Sequence, residues 1–297
     1  MTTETKLPPL SELLTIAVDA SLAAGREVMD VYRREYTVTE KDDRSPLTEA
    51  DTRSHQVIAR RLEKYTPEIP VLSEEGAHMP WHDRRSWGAY WIVDPLDGTK
   101  EFIRQNGEFT VNIALMVAEG TPALGVVYAP ALGSLYTGIV GEGAYRYDRV
   151  PVGSAGPGSE RIMLPQESMI RARPHTVVAS RSHMSPETEA FVAERRREHP
   201  DLVQISSGSS LKICRVAEGS ADEYPRFAPT MEWDTAAGDA VARAAGCEVL
   251  QWDAGGPAGG GPAGPLRYNK EDLHNPWFLV RRPSEGDRTV TTGKGRN

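Results

Sequence analysis

The chain has 297 residues, of which 39% are hydrophobic and 26% charged, and its formal net charge is −8. A chain of this length and composition can bury a globular core without disulfides or structural metals. Its acidic balance argues against binding to nucleic-acid polymers and to anionic membrane surfaces.

The N-terminal part of the chain is predicted to contain two helices followed mainly by strands. The first helix is expected to begin at Ser11 as its N-cap and to continue to about Tyr32, because apolar residues recur at helical spacing. The second follows residues 45–46, and Thr48 with Asp51 gives a capping-box pattern at its start. Short strands are predicted over 69–72 and 90–93, and an antiparallel meander over 110–147.

The C-terminal part is predicted to alternate strands with helices. Residues 175–180 (HTVVAS) are predicted to begin a second α/β segment. After it we expect a helix over 187–198, a strand over 202–205, and helices over 211–218 and 234–245, the last closed by Gly246. The Gly/Pro-rich stretch 255–265 is predicted to be a flexible loop, and the polar residues after Arg281 a disordered tail.

Cysteine use and hydropathy predict a cytoplasmic protein. Cys214 and Cys247 form no C-x-x-C pair, and we interpret both as reduced core residues in apolar helical surroundings. No segment is apolar enough to span a bilayer, and the first residues lack the pattern of a secretory signal. Weak peripheral association with an inner membrane stays open.

Carboxylates recur at the ends of predicted elements. Asp94 ends a predicted strand, and Asp97 follows in a turn rich in Pro and Gly. Taken singly, each such residue has a structural explanation, since D-P-L-D-G is a good turn sequence and a lone Asp at a helix start is usually a cap. The four segments concerned are SPLTEAD (45–51), PVLSEEG (70–76), WIVDPLDGTKEF (91–102) and EWDTAAG (232–238).

The crowding of Asp94 and Asp97 favours a metal site over a plain turn. Two acids at the end of a buried strand are costly unless a cation neutralises them. Ligands that are all oxygen suit Mg²⁺, and the lack of His or Cys beside them argues against zinc. Gly98 and Thr99 are predicted to open a helix, where backbone N–H groups can bind a phosphate.

Together these segments resemble the lithium-sensitive, magnesium-dependent phosphatase superfamily that includes inositol monophosphatase. The shared pattern is S-E-E, then D-P-L-D-G-T, then W-D-T-A-A, and all three stand here in that order. Longer segments, such as WIVDPLDGTKEFIRQNGEFTVNIAL, are similar to bacterial 3′(2′),5′-bisphosphate nucleotidases of the CysQ type. The resemblance covers roughly residues 10–280. It implies an α/β (α+β) layered fold, the αβαβα sandwich of inositol monophosphatase.

The resemblance also implies a division of the chain and a set of metal ligands. Residues 1–150 would form a metal-binding α+β half, residues 151–281 an α/β substrate-binding half, and residues 282–297 a disordered tail. Two to three Mg²⁺ ions per active site are implied. Their ligands would be Glu74, Asp94 and the Leu96 carbonyl for the first, Asp94, Asp97 and Asp234 for the second, and Asp51 and Glu74 for a third, weaker ion.

Catalytic and substrate-binding roles follow from the same resemblance. Glu74, Thr99 and Asp51 are expected to be catalytic, with Glu74 and Thr99 orienting the attacking water. Gly98 and Thr99 would cradle the phosphate. The full set of expected substrate contacts is Glu74, Leu96, Asp97, Gly98, Thr99, His183, Ser209, Lys212, Arg226 and Asp234, of which His183, Ser209, Lys212 and Arg226 would contact the nucleotide.

The predicted reaction is hydrolysis of the 3′-phosphate of adenosine 3′,5′-bisphosphate to AMP and phosphate. It would use metal-activated water and no covalent intermediate. The D-x-D-G-T motif of haloacid-dehalogenase-type phosphatases, which use a covalent route, places its aspartates two apart, whereas Asp94 and Asp97 are three apart. The expected partner is therefore a small phosphorylated nucleotide.

Several alternatives stay open on the sequence. The sulfated nucleotide 3′-phosphoadenylyl sulfate presents the same 3′-phosphate and is not distinguished from the bisphosphate. Inositol monophosphatase or fructose-1,6-bisphosphatase activity is the main alternative function, and a non-catalytic, metal-stabilised phosphate sensor is another. The oligomeric state also stays open, a homodimer included.

Overall fold

The computed structural model describes residues 7–40, 46–117, 120–171, 173–179, 184–253 and 260–283. The helices in these ranges are α1 (Leu10–Tyr32), α2 (Glu49–Tyr65), α3 (Trp81–Arg84), α4 (Thr99–Ile103), α5 (Glu167–Arg171), α6 (Pro186–Glu198), α7 (Leu211–Glu218) and α8 (Glu232–Ala244). The strands are β1 (Val38–Glu40), β2 (Pro46–Thr48), β3 (Val71–Ser73), β4 (Ala89–Asp97), β5 (Thr110–Val117), β6 (Thr121–Ala129), β7 (Ser134–Ile139), β8 (Gly143–Tyr147), β9 (Ile162–Leu164), β10 (Thr176–Ala179), β11 (Val203–Ser206), β12 (Glu223–Arg226), β13 (Glu248–Trp252), β14 (Pro262–Pro265) and β15 (Phe278–Arg281).

Most strands belong to two sheets. The larger has seven strands in the order β3-β4-β5-β6-β7-β8-β9, and its pairs are antiparallel except for β3 with β4. Strands β5 to β8 are the predicted meander, which is thereby confirmed. The smaller sheet has six strands in the order β11-β10-β12-β15-β13-β14, and β10 runs parallel to both of its neighbours. Strands β1 and β2 pair separately.

Helices and sheets alternate in five layers. Helices α1 and α2 pack on each other and on one face of the larger sheet, and α8 covers the other face and packs against α7. Helix α7 also contacts the smaller sheet, where Val178 packs in the same core as Ile213. On the opposite face of that sheet Val177 packs with Val192 of α6. The predicted αβαβα sandwich is confirmed.

Strand β4 contributes to two apolar cores, one on each face of the larger sheet. Trp91 and Val93 point into the core under α1 and α2, whereas Tyr90 and Ile92 point into the core under α7 and α8. Successive side chains of a strand face opposite sides of its sheet. Asp94, at the next position in this alternation, therefore faces the layer that contains α8.

Small residues let α8 approach the larger sheet closely. Gly125 of β6 lies against this helix, and a Cβ atom there would be 2.3 Å from the carbonyl oxygen of Ala237 and 2.8 Å from the Cβ of Ala240. A larger residue at position 125 would push the two layers apart. This contact fixes the height of α8, and with it Asp234, above the sheet that carries Asp94.

Four predictions about individual elements and residues were wrong. The first helix begins at Leu10, after Pro9, so Ser11 is not its cap. Strand β4 runs through Asp97, so this residue does not lie in a turn after the strand. Cys247 lies between α8 and β13 and not in a helix. Residues 262–265, predicted as part of a flexible loop, form β14 and pair with β13.

Other predictions stay open. Residues 255–259 of the predicted loop and the tail from residue 284 lie outside the described residues. The division of the chain at residue 150 stays a prediction; the larger sheet extends to Leu164, and the first strand of the smaller sheet begins at Thr176. None of the described helices has the length and apolarity that a transmembrane span requires.

Candidate active site

Three carboxylates form a compact acidic cluster. Asp94 and Asp97 come from β4 and Asp234 from the first turn of α8, and one carboxylate oxygen of each lies within 4.8 Å of the others. Burial raises the pKa of Asp94 well above its ordinary value, and the charges of Glu74, Asp97 and Asp234 raise it further. Burial, followed by the charge of Asp97, raises the pKa of Asp234 to about 8. The cluster therefore favours bound protons or a bound cation.

An irregularity in β4 brings Asp94 and Asp97 to the same side. Asp94 pairs with Asn112 of β5 and Asp97 pairs with Thr110, so three steps along β4 match two along β5. Residues three apart in a regular strand face opposite sides of the sheet, and one extra residue in one strand reverses this parity. Within the irregular segment the Leu96 backbone N–H donates to Asp94 Oδ1 at 3.0 Å.

Asp97 is held by donors that the sequence analysis did not identify. Its Oδ2 accepts hydrogen bonds from the backbone N–H of Ser210 at 2.6 Å and from the Ser210 hydroxyl at 2.9 Å. Asn112 Nδ2 and Thr110 Oγ1 approach the same oxygen at 3.4 and 3.5 Å. Ser210 is 113 residues away along the chain, and no local pattern in the sequence indicates the contact.

Asp51 and Thr99 form a second polar group beside the cluster. Asp51 is 2% exposed, and its Oδ2 accepts from the backbone N–H and hydroxyl of Thr48 at 2.8 and 2.7 Å, which confirms the predicted capping box. Its Oδ1 lies 3.4 Å from the Thr99 hydroxyl, which lies equally far from the Leu96 carbonyl oxygen. The Ser54 hydroxyl donates to the Pro95 carbonyl at 2.7 Å and joins α2 to the irregular part of β4.

Glu74 follows β3 at the edge of the same site. Because β3 and β4 are parallel, their C-terminal ends lie side by side, and the Glu74 backbone N–H donates to the Val93 carbonyl at 3.1 Å. The Glu74 carboxylate is close enough for its charge to raise the pKa of Asp94. It is not one of the three acids of the compact cluster.

A cavity with two cationic side chains opens next to Asp97 and Asp234. Its lining residues are Asp97, Ser209, Ser210, Lys212, Ile213, Tyr224, Arg226, Thr230, Asp234 and Thr235. Lys212 is 7% exposed and its Nζ donates to the Ser209 carbonyl at 2.6 Å. Burial lowers the pKa of Lys212 to about 8, while the charge of Asp97 acts in the opposite direction. Arg226 donates to the Pro229 carbonyl at 2.9 Å, and its buried Nε has no hydrogen-bond partner within the described ranges.

The structure thus brings most of the predicted site residues close together. Gly98, at φ +88°, is tightly packed, and a Cβ atom there would lie 3.1 Å from the Cβ of Ser209. The loop before α7 therefore contacts the turn that joins β4 to α4. His183 lies outside the described residues. Tyr224 and Thr230, which line the cavity, had not been predicted.

Comparison with known proteins identifies the family of this chain. The pattern that describes the inositol monophosphatase family matches residues 9–277. A curated relative named 3′(2′),5′-bisphosphate nucleotidase CysQ, from Escherichia coli strain K12, is 45% identical over 261 residues, which cover 86% of this chain and 94% of the relative. One with the same name from Haemophilus influenzae is 31% identical over 272 residues and 91% of each chain.

A solved structure of the same family is similar to this chain over most of its length. The crystal structure of CysQ from Bacteroides thetaiotaomicron, described as a bacterial member of the inositol monophosphatase family, superposes with a TM-score of 0.79 at 49% identity and covers 92% of this chain and 98% of its own. The resemblance deduced from the sequence motifs is confirmed, and this chain belongs to the inositol monophosphatase family.

Proposed function

We propose that this chain is a magnesium-dependent 3′(2′),5′-bisphosphate nucleotidase that removes the 3′-phosphate of adenosine 3′,5′-bisphosphate. The observation that carries the proposal is the position of the acidic cluster directly beside a cavity lined by Lys212 and Arg226. A bisphosphate offers one phosphate to metals held by the acids and a second to the cations. The names of the relatives from E. coli and H. influenzae support the same substrate class.

The donor set fits a hard divalent cation. The three clustered side chains offer only carboxylate oxygens, and the pKa of Asp94 is raised because burial disfavours its charged form and like charges surround it. The family is metal-dependent, and Mg²⁺ prefers such oxygen ligands. We propose two to three ions. Their ligands would be Asp94, Asp97 and Asp234 from the cluster, with Glu74, the Leu96 carbonyl and Asp51 at its edge. When bound, the ions would supply Lewis-acid activation of water and charge neutralisation at the phosphate.

The protein's own groups would orient and deprotonate the attacking water. The Thr99 hydroxyl lies 3.4 Å from Asp51 Oδ1, and Thr48 holds the other oxygen of that carboxylate. Donation of the hydroxyl proton toward Asp51 leaves the lone pairs of Thr99 directed at a water molecule, which makes the pair a relay for a proton. Glu74, beside Asp94, is proposed as the second group that orients this water.

Substrate recognition is proposed to involve the turn before α4 and the cavity beside the acidic cluster. Gly98 and Thr99 are proposed to contact the scissile phosphate, together with the side chains of the cluster. Lys212 and Arg226 are proposed to bind the second phosphate, because a charge-assisted pair to a dianion needs cations away from the metals. Ser209 and His183 are proposed to contact the nucleoside.

The cellular setting is also part of the proposal. Both cysteines are free and buried, which agrees with a protein that needs no disulfide. We propose that the enzyme acts in the cytoplasm on a small, diffusible nucleotide.

The test is phosphate release from a panel of substrates, with Mg²⁺ and with excess chelator. Adenosine 3′,5′-bisphosphate should have the highest kcat/KM, above inositol 1-phosphate and fructose 1,6-bisphosphate, and every activity should need Mg²⁺. A preference for inositol 1-phosphate would replace the nucleotidase assignment with the alternative phosphatase. Binding of phosphate compounds without any turnover would favour the sensor.

A further inference from the structure

Ser210 lines the cavity and forms hydrogen bonds with two of the clustered acids, Asp97 and Asp234. It is 3% exposed and stands immediately before α7. Its backbone N–H and its hydroxyl both reach Asp97 Oδ2, at 2.6 and 2.9 Å. The hydroxyl oxygen also lies 2.6 Å from the backbone carbonyl of Asp234 and accepts from Asn112 Nδ2 at 2.9 Å. One side chain thus contacts the carboxylate of one acid and the backbone of another.

The hydroxyl has one proton for two acceptors. Asp97 Oδ2 and the Asp234 carbonyl oxygen both accept from this hydroxyl, and Asn112 supplies a donor to the lone pairs of the hydroxyl oxygen. The backbone N–H of Ser210 stays on Asp97 whichever acceptor the hydroxyl serves. Because β4 and α8 each contribute an acid, this bridge sets the distance between Asp97 and the start of α8.

The loop before Ser210 is held in the conformation that aims its N–H at Asp97. Ser209 has φ +41°, a left-handed conformation that is unfavourable for a residue with a Cβ atom. Two contacts maintain it, one between the hydroxyls of Ser209 and Thr110 at 3.1 Å and one from Lys212 Nζ to the Ser209 carbonyl at 2.6 Å. A strained conformation that neighbouring contacts stabilise in this way indicates that the direction of the Ser210 N–H is important at the site.

We propose that Ser210 is a positioning residue, which orients Asp97 for metal binding and couples the cavity wall to the metal centre through a single hydroxyl. The inference rests on the metal centre proposed above. Residues that hydrogen-bond to metal ligands typically change metal affinity by about 10- to 100-fold when they are replaced. Ser210→Ala removes the hydroxyl and keeps the backbone N–H, so we expect Mg²⁺ affinity to fall by about 10-fold.

The test measures Mg²⁺ binding by calorimetry without substrate, in wild type and in four variants. Ser210→Ala should bind Mg²⁺ about 10-fold more weakly, and Ser210→Thr, which keeps a hydroxyl, should restore most of the affinity. Ser207→Ala is the matched control, because the buried hydroxyl of Ser207 lies in the same loop without a hydrogen-bond partner among the residues that the structure describes. Its affinity should equal that of wild type.

Asp94→Asn separates this inference from the proposed metal centre. If Asp94→Asn weakens Mg²⁺ binding and Ser210→Ala does not, the proposed role of Ser210 is wrong and the proposed metal centre is supported. If neither variant weakens Mg²⁺ binding, the proposed metal centre is wrong as well. Turnover gives a second readout, since excess Mg²⁺ should restore the activity of Ser210→Ala, whereas a general packing defect would not respond to Mg²⁺. Ser210→Cys, with a similar volume and a weak donor, repeats the comparison if the alanine variant is too unstable to titrate.

Discussion

Asp94 and Asp97 meet in one acidic cluster because β4 has one more residue between them than β5 has opposite them. The same irregularity places the Leu96 carbonyl oxygen 3.4 Å from the Thr99 hydroxyl. A regular strand would send the two carboxylates to opposite faces of the sheet. The backbone of β4 thus sets the geometry of the proposed metal ligands, and substitutions in and around the cluster should differ sharply in their effects.

Asp94→Asn should reduce kcat far more than Asp51→Asn. Asp94 is 1% exposed and lies inside the cluster, so the loss of its charge should cost at least about 100-fold. Asp51 lies outside the cluster, at the proposed site of the third, weaker ion, and we expect a loss of about 10-fold there. Steady-state kinetics at saturating Mg²⁺ checks the order, with the exposed Asp272→Asn as control. Equal losses at the two positions would contradict the assignment of Asp51 to the third, weaker ion.

The stability of the metal-free protein should fall as pH rises from about 4 to 8. The pKa of Asp234 is raised to about 8 in the folded protein, so between its unfolded value and pH 8 the folded state holds more protons than the unfolded state. Stability contributed by the protonated form is therefore lost as pH rises through the folded pKa. Asp234→Asn should flatten this dependence and raise the metal-free Tm at pH 8, and wild type with Mg²⁺ should lose the pH trend. A metal-free Tm that rises over this interval would disagree with the raised pKa of Asp234.

Arg226→Ala and Lys212→Ala should impair use of the bisphosphate more than use of inositol 1-phosphate. Both substrates present one phosphate to the metals, and only the bisphosphate carries a second dianion. A charge-assisted contact of about 1.5–3 kcal/mol corresponds to roughly 10- to 100-fold in kcat/KM. Because the pKa of Lys212 is lowered to about 8, affinity for the bisphosphate should also weaken as pH rises above about 8.

The control for these cation variants is Arg149→Ala, since the side chain of Arg149 is 86% exposed and pairs with Glu160 at the surface. We expect no change there in kcat/KM for either substrate. If both substrates lose the same factor in the Arg226 and Lys212 variants, these residues do not bind the second phosphate, and a general sugar- or inositol-phosphate phosphatase becomes the better assignment.

Gly98→Ala should reduce kcat/KM more than Gly141→Ala does. Both glycines have nearly the same positive φ, +88° and +89°, so both variants have the same backbone strain, about 1–2 kcal/mol. Only at Gly98 would the new Cβ atom press on Ser209, at 3.1 Å, whereas nothing lies within 4 Å of the corresponding position at Gly141. Comparable stability with lower activity in Gly98→Ala alone is the expected pattern. Similar activity in both variants would show that the contact with Ser209 is unimportant.

The acids of the site could be predicted from the sequence because each stands in a short, specific segment. Asp51 was recognisable by its capping box with Thr48, and Asp94 and Asp97 by their crowding around a Pro/Gly segment. The irregularity of β4 could not be predicted, because it depends on pairing with Thr110 and Asn112 of another strand.

Contacts between distant segments were likewise missed. Ser210 meets Asp97 only after β4 and α7 have packed on each other, and the sequence around it indicates nothing more than the start of a helix. Strand β14 was mistaken for a flexible loop because its Gly and Pro residues are unfavourable in a strand. It pairs as the edge strand of the smaller sheet, where one side of the backbone needs no partner.

The most direct test of the whole account is phosphate release from adenosine 3′,5′-bisphosphate by wild type and Asp94→Asn as Mg²⁺ is varied. Wild type should be inactive in excess chelator and should gain activity as Mg²⁺ is added, while Asp94→Asn should stay at least about 100-fold less active at every concentration. Full turnover by wild type in excess chelator, or wild-type activity in a folded Asp94→Asn, would contradict the proposal that these clustered carboxylates are the catalytic metal centre.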